Sequence, residues 1–132
     1  MNNSISEIQQ LIQHYFDGLY RCDVALLSQI FHPDARYVTA TETPPLILSV
    51  PEYFKIVEQR TSPESLGQER QDQITSIQIL SETTAVITLE CVIAPRYFYD
   101  VLTLIYMDRQ WWIISKVFHY KIFNEQIQTH FQ

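Results

Sequence analysis

No Cys-x-x-Cys spacing occurs in this chain: Cys22 and Cys91 lie far apart, which excludes a zinc knuckle and a disulfide framework and leaves two buried or half-buried thiols. Basic residues are scarce too. Nine Lys and Arg stand against fifteen Asp and Glu, a net charge of -6 without a basic cluster, so neither nucleic acid nor a membrane surface is an expected partner. No apolar run approaches bilayer length, and the opening M-N-N-S-I-S-E lacks the basic and apolar regions of a secretory leader, so a cytoplasmic protein is expected. The four histidines are scattered without ligand spacing, and no Ser or Cys sits in a recognisable nucleophile turn. No metal and no cofactor are expected. Internal repeats, low-complexity tracts and linkers are likewise missing.

Aromatic residues are plentiful: eight Tyr, seven Phe and two Trp. They suit a deep apolar cavity as well as a solid core. The 132 residues fit one domain, residues 1–132, able to bury about two thirds of its unfolded surface.

Ser4 and Glu7 form an S-x-x-E capping box, and Ile8, Ile12, Tyr15, Phe16 and Leu19 follow on one face of a first helix ending near Arg21. Gly18 inside it points to a close approach of another backbone or to a weak helix end. Asp23 caps a second helix from Val24 to Phe31, and His32-Pro33-Asp34 breaks it. A strand from Arg36 to Thr41 ends at Pro44-Pro45, and Ser49 with Glu52 opens a third helix carrying Tyr53, Phe54 and Val57. From Arg70 onward only strands are predicted: Gln73–Leu80 paired with Thr84–Ile93 through the loop Ser81-Glu82-Thr83, then an aromatic hairpin from Tyr97 to His119. Residues 124–132 read as a short helix or a frayed tail. Helices first and strands afterwards indicate an α+β domain, a curved antiparallel sheet with helices on its concave face enclosing a cone-shaped pocket.

Asp100 and Lys116 interrupt the two apolar runs of the last hairpin, and a buried charge is costly unless paired or hydrogen-bonded. Their neighbours depend on register. A three-residue loop, Asp108-Arg109-Gln110, places Asp100 with Leu102, Leu104, Trp112, Ile114, Lys116 and Phe118, whereas a two-residue loop places it with Trp111, Ile113, Val117 and His119. The first is preferred because it sets the two charges diagonally opposite. It turns Trp111, Ile113 and Val117 outward, an apolar face that predicts a homodimer through the sheet. Asp100 and Lys116 then form either a structural ion pair or a polar anchor for a ligand. The second register would instead give an Asp100–His119 acid/base dyad.

The segment H-Y-F-D-G-L-Y-R-C-D-V-A-L-L-S-Q-I-F-H-P-D-A (His14 to Ala35) and the segment F-Y-D-V-L-T-L-I-Y-M-D-R-Q-W-W-I-I-S-K-V-F-H (Phe98 to His119) resemble the nuclear transport factor 2-like superfamily, whose fold is the cystatin-like roll. The second segment is most similar to the branch named Putative lumazine-binding. The resemblance to ketosteroid isomerase, a member of the superfamily, implies that Tyr15 matches its oxyanion-hole tyrosine and Asp100 its protonated oxyanion-hole aspartate, an acid kept neutral by an apolar site. The departure is Thr39. It occupies the general base position, where a hydroxyl has no useful basicity, and the nearest carboxylate along the chain is Glu42.

Three readings stand on the sequence. The leading one is a binder of a small, partly apolar organic molecule, with Tyr15, Phe16, Thr39, Phe54, Asp100, Leu102, Lys116 and Phe118 around it. The second is a lyase or isomerase of the ketosteroid isomerase, dehydratase or polyketide cyclase type, in which Asp100 acts with Tyr15 or His119. The third is a dimeric protein-interaction module. Tyr15 fits a phenol in a pocket or a core tyrosine, Asp34 caps local backbone, His32 faces solvent, and His14 and His130 receive no role.

Overall fold

Ile8, Leu11, Ile12, Tyr15, Phe16 and Leu19 recur at three- and four-residue spacing and bury one face of helix α1, Ser4–Arg21. The computed structural model describes residues 4–122; the predicted terminal element at 124–132, with His130, lies outside the described residues. Helix α2, Val24–Ser28, starts where the Asp23 carboxylate accepts the Leu26 N–H. It stops three residues earlier than predicted. Gly18 is needed at the α1–α2 contact, since a Cβ there would stand 2.5 Å from Leu27 Cδ2. The close approach is thus made by a side chain, not by backbone.

Strand β1, Phe31–Thr39, begins five residues before the predicted start and runs straight through His32-Pro33-Asp34, absorbing the proline as a register shift between Phe31 and Arg36. His32 Nδ1 accepts the Asp34 N–H and its half-buried ring meets Trp112 edge-on, so the local cap is the histidine rather than Asp34. A short strand that the sequence did not signal, β2 (Leu46–Ser49), pairs back on β1. Helix α3, Val50–Gln59, opens with the predicted capping box: Ser49 N–H donates to Glu52 Oε1 at 2.9 Å and Glu52 N–H to Ser49 Oγ at 3.3 Å.

Strands β3 (Asp72–Ile79), β4 (Thr84–Ile93), β5 (Arg96–Met107) and β6 (Gln110–Ile122) form a meander, and the sheet order is β2-β1-β6-β5-β4-β3. The domain is α+β with the expected cystatin-like roll. The sheet is mixed rather than wholly antiparallel, because β1 lies parallel to β6. Ile77 and Ile79 pair with Ile87 and Ala85, as the loop at Ser81 predicted. Inner-face residues of β1, β4, β5 and β6 form one core with the apolar faces of α1 and α3. Among the described residues no helix is long and apolar enough to cross a membrane.

The last hairpin combines the two registers. Its turn is the two-residue loop Asp108-Arg109, both at positive φ (53° and 65°), so Trp111 and Ile113 turn inward and are buried instead of facing out. Leu104 then pairs with Ile113 but Thr103 with Ser115, which leaves Ile114 as an inserted residue without a partner. That bulge switches the alternation. Lys116 and Phe118 become inner residues beside Asp100, as the preferred register required, while Val117 and His119 are exposed.

Candidate functional site

Asp100 stands on the inner face of β5 between Phe98 and Leu102, all three buried. Tyr15 projects from the buried face of α1 and donates its hydroxyl to Asp100 Oδ2 at 2.5 Å. Burial, with the carboxylate beside it, pushes the Tyr15 phenol well above its ordinary value, so the phenol keeps its proton and gives it to Asp100 in a hydrogen bond. In this arrangement the partner of the Tyr15 hydroxyl is the Asp100 carboxylate.

Lys116 pairs with Leu102 in the ladder, one step diagonal to Asp100, and its Nζ lies 3.9 Å from Asp100 Oδ2. The ammonium is 3% exposed and donates to Tyr53 Oη at 3.2 Å. Rings surround it, with the centroids of Tyr53, Phe118, Tyr15 and Tyr37 at 5.0, 5.2, 5.3 and 5.4 Å. Burial disfavours the charge, yet Tyr53 and Asp100 outweigh it and hold Lys116 above the usual lysine range. Lys116 is a cation here.

Oδ1 of Asp100 is buried and has no hydrogen-bond partner among the described residues. A buried acceptor left empty costs about 1 to 3 kcal/mol, more when charged, so this lone pair is the least satisfied point of the site.

The structure brings Tyr15, Asp100, Leu102, Lys116 and Phe118 together, with Phe118 paired to Asp100. Thr39 is fully buried, its Oγ1 accepting the Thr41 N–H at 3.1 Å. Phe54 is half-buried against Phe31 and Tyr53, and Phe16 borders a separate hollow with Leu19, Tyr20 and Cys91. His119 is not brought in. It is exposed on the other face of β6, where Nδ1 meets Thr41 Oγ1 at 2.8 Å and the ring stacks on Tyr99, so no dyad with Asp100 forms.

Tyr37 and Tyr53, stacked at 4.3 Å, complete the cage and were not singled out from the sequence. Two signals could have found them. Tyr37 alternates with Thr39 and Ala35 on β1, and Tyr53 is spaced with Val50 and Val57 on the buried face of α3. The Cys91 thiol is buried and raised in consequence, which removes it as a nucleophile. No group of three His, Cys, Asp or Glu is placed to hold a metal among the described residues.

No curated protein matches the chain by sequence. Solved structures do match in fold. An NTF-2 like protein of unknown function from Silicibacter pomeroyi superposes with a TM-score of 0.82 at 24% identity, covering 91% of this chain and 98% of that one. A ketosteroid isomerase-like protein from Erwinia carotovora atroseptica gives 0.70 at 11% identity (91% and 98% covered). A domain of unknown function with a cystatin-like fold from Nostoc punctiforme gives 0.73 at 13% (99% and 85%). At these identities the likeness concerns the fold. A family model described as "Putative lumazine-binding" matches residues 3–119, nearly the whole chain, and the protein therefore belongs to that family.

Proposed function

We propose that this protein binds a small, flat, partly apolar organic molecule whose N–H or O–H donor meets Asp100 Oδ1. The observation that carries this is the empty lone pair of Oδ1 in a site where every other polar atom of Tyr15, Tyr53 and Lys116 is engaged or charged. A donor from outside the chain would recover the cost of that burial, and a carbonyl beside the donor would meet the ammonium of Lys116. A pteridinedione such as lumazine, the compound in the family's description, has an N–H flanked by carbonyls on a flat ring and suits this pairing. Catalysis has less support: Tyr15 and Lys116 both hold their protons far above neutrality, and Thr39 replaces a base.

Native mass spectrometry of protein purified without denaturation should show a bound small molecule, and lumazine should saturate the site in a fluorescence titration. Asp100→Asn should weaken lumazine by about tenfold, because its amide either loses the acceptor or turns it from Oδ1. Absence of both a copurified small molecule and saturable lumazine binding would overturn the reading.

Assembly as a homodimer through the sheet is supported by a different observation. Val38 and Val101 both pair with Val117 on the outer face, a row of three valines across adjacent strands, with Val101 41% and Val117 46% exposed. This row replaces Trp111 and Ile113 as the basis for the contact. Val117→Glu should convert the dimer to a monomer in sedimentation at tens of micromolar, and wild type sedimenting as a monomer would reject it. We place the protein in the cytoplasm on its acidic, membrane-averse composition.

A further inference from the structure

We propose a second binding site at the edge of the sheet's inner face, in which Arg60 and Arg96 hold a carboxylate or phosphate group attached to an apolar body. A cleft of about 170 Å³ opens there, where α3 ends and β4 turns into β5; Arg60, Thr61, Ile93, Arg96 and Phe98 form its walls. No acidic residue lines it. Of the four other arginines, Arg21 and Arg70 are ion-paired and Arg36 and Arg109 are not among the described residues, so what distinguishes Arg60 and Arg96 is that they share one cleft. Arg70 pairs with Asp17 at 2.9 Å and Asp72 at 3.1 Å, and Arg21 with Glu64 at 3.6 Å. Among the described residues neither Arg60 nor Arg96 has a carboxylate within ion-pairing distance.

Two unpaired guanidinium groups on one cleft repel each other, and an anion between them removes that cost. Arg96 is anchored beside it: its guanidinium carbon lies 4.7 Å from the centroid of the Tyr120 ring, a cation–π contact that uses none of its hydrogen-bonding capacity for a carboxylate. Arg60 acts inward as well. Burial raises the Tyr37 phenol and the Cys91 thiol, and Arg60 is among the charges that oppose both rises. The hydroxyl of Thr61 adds a donor, while Ile93 and the buried Phe98 give the cleft an apolar floor. Phe98 and Asp100 are two residues apart on one face of β5, so the two sites lie roughly 7 Å apart along the strand. They use different residues, and the arginine cleft stands whether or not the Asp100 reading does.

The test uses the full chain, titrated with benzoate and with phenyl phosphate at constant ionic strength in chloride, and follows the arginine Nε–H and Ala94 amide resonances. Saturable shifts are expected. Tighter binding of phenyl phosphate would assign the site to phosphate esters and tighter benzoate to carboxylates. The double variant Arg60→Gln/Arg96→Gln should lose about tenfold or more in affinity, since hydrogen bonds to charged groups are the strong ones. Arg60→Lys/Arg96→Lys, which keeps both charges and the fold contacts, should retain part of it. Asp100→Asn/Lys116→Met, which removes the other site's charges and is expected to keep most of the stability, should bind phenyl phosphate within about twofold of wild type, as expected for a separate site. A linear response, an unchanged affinity in the glutamine variant, or a loss in the folded Asp100→Asn/Lys116→Met protein as large as in that variant would overturn the assignment.

Discussion

Replacing Lys116 by Met is expected to destabilise the fold by about 3 to 5 kcal/mol, because it removes the counter-charge of a carboxylate that is 2% exposed. Nζ and Oδ2 are 3.9 Å apart, so the coupling is electrostatic rather than a hydrogen bond, and low exposure on both sides keeps water from screening it. Asp100→Asn should cost a comparable amount by leaving the ammonium with only Tyr53 and the rings around it. Asn still offers Tyr15 an acceptor, so the single variant reports mainly the charge. In Asp100→Asn/Lys116→Met neither charge remains, and much of the loss should return. Urea melts of the four proteins give the coupling energy directly. Additive small losses would show that the two charges do not interact.

Phe118→Ala should cost a similar 3 to 5 kcal/mol, for a different reason: it opens a hole next to the same ammonium. The ring is 6% exposed, packs on Tyr37 at 4.7 Å and on Phe98 at 5.8 Å, and forms one wall of the Lys116 cage. Little around it can collapse to fill the space, since the neighbours are stiff aromatic rings. The loss should appear as a lower urea midpoint with an unchanged slope. A small apolar probe such as benzene should then raise the melting temperature of the variant more than that of wild type. A loss under about 1 kcal/mol would show that Phe118 borders open space instead of packed core.

Much of the architecture was legible because it rests on local chemistry. The Ser49–Glu52 box, the Asp23 cap and the apolar spacing of α1 each act within four residues, and the structure has all three. Strand β2 was not legible. Four residues behind two prolines carry too short a pattern, and β2 exists because β1 offers it an edge. Tyr37 and Tyr53 were hidden for another reason: each looks like an ordinary core tyrosine until Lys116 is placed between them.

By itself the sequence determined the α+β order, the burial of Asp100 and Lys116 in one apolar hairpin, and the likeness of the two ends to one superfamily. Tertiary structure alone decided which residues share the inner face. Asp108 and Arg109 make the tight turn without the Asn-Gly or Asp-Gly signature, and Ile114 bulges to reset the alternation, so a single-register reading gets one half of β6 wrong whichever loop it selects. The bulge places Lys116, not His119, beside Asp100. A side-chain period of two makes each one-residue slip exchange the faces, and only packing of the whole sheet against α1 and α3 fixes where that slip occurs.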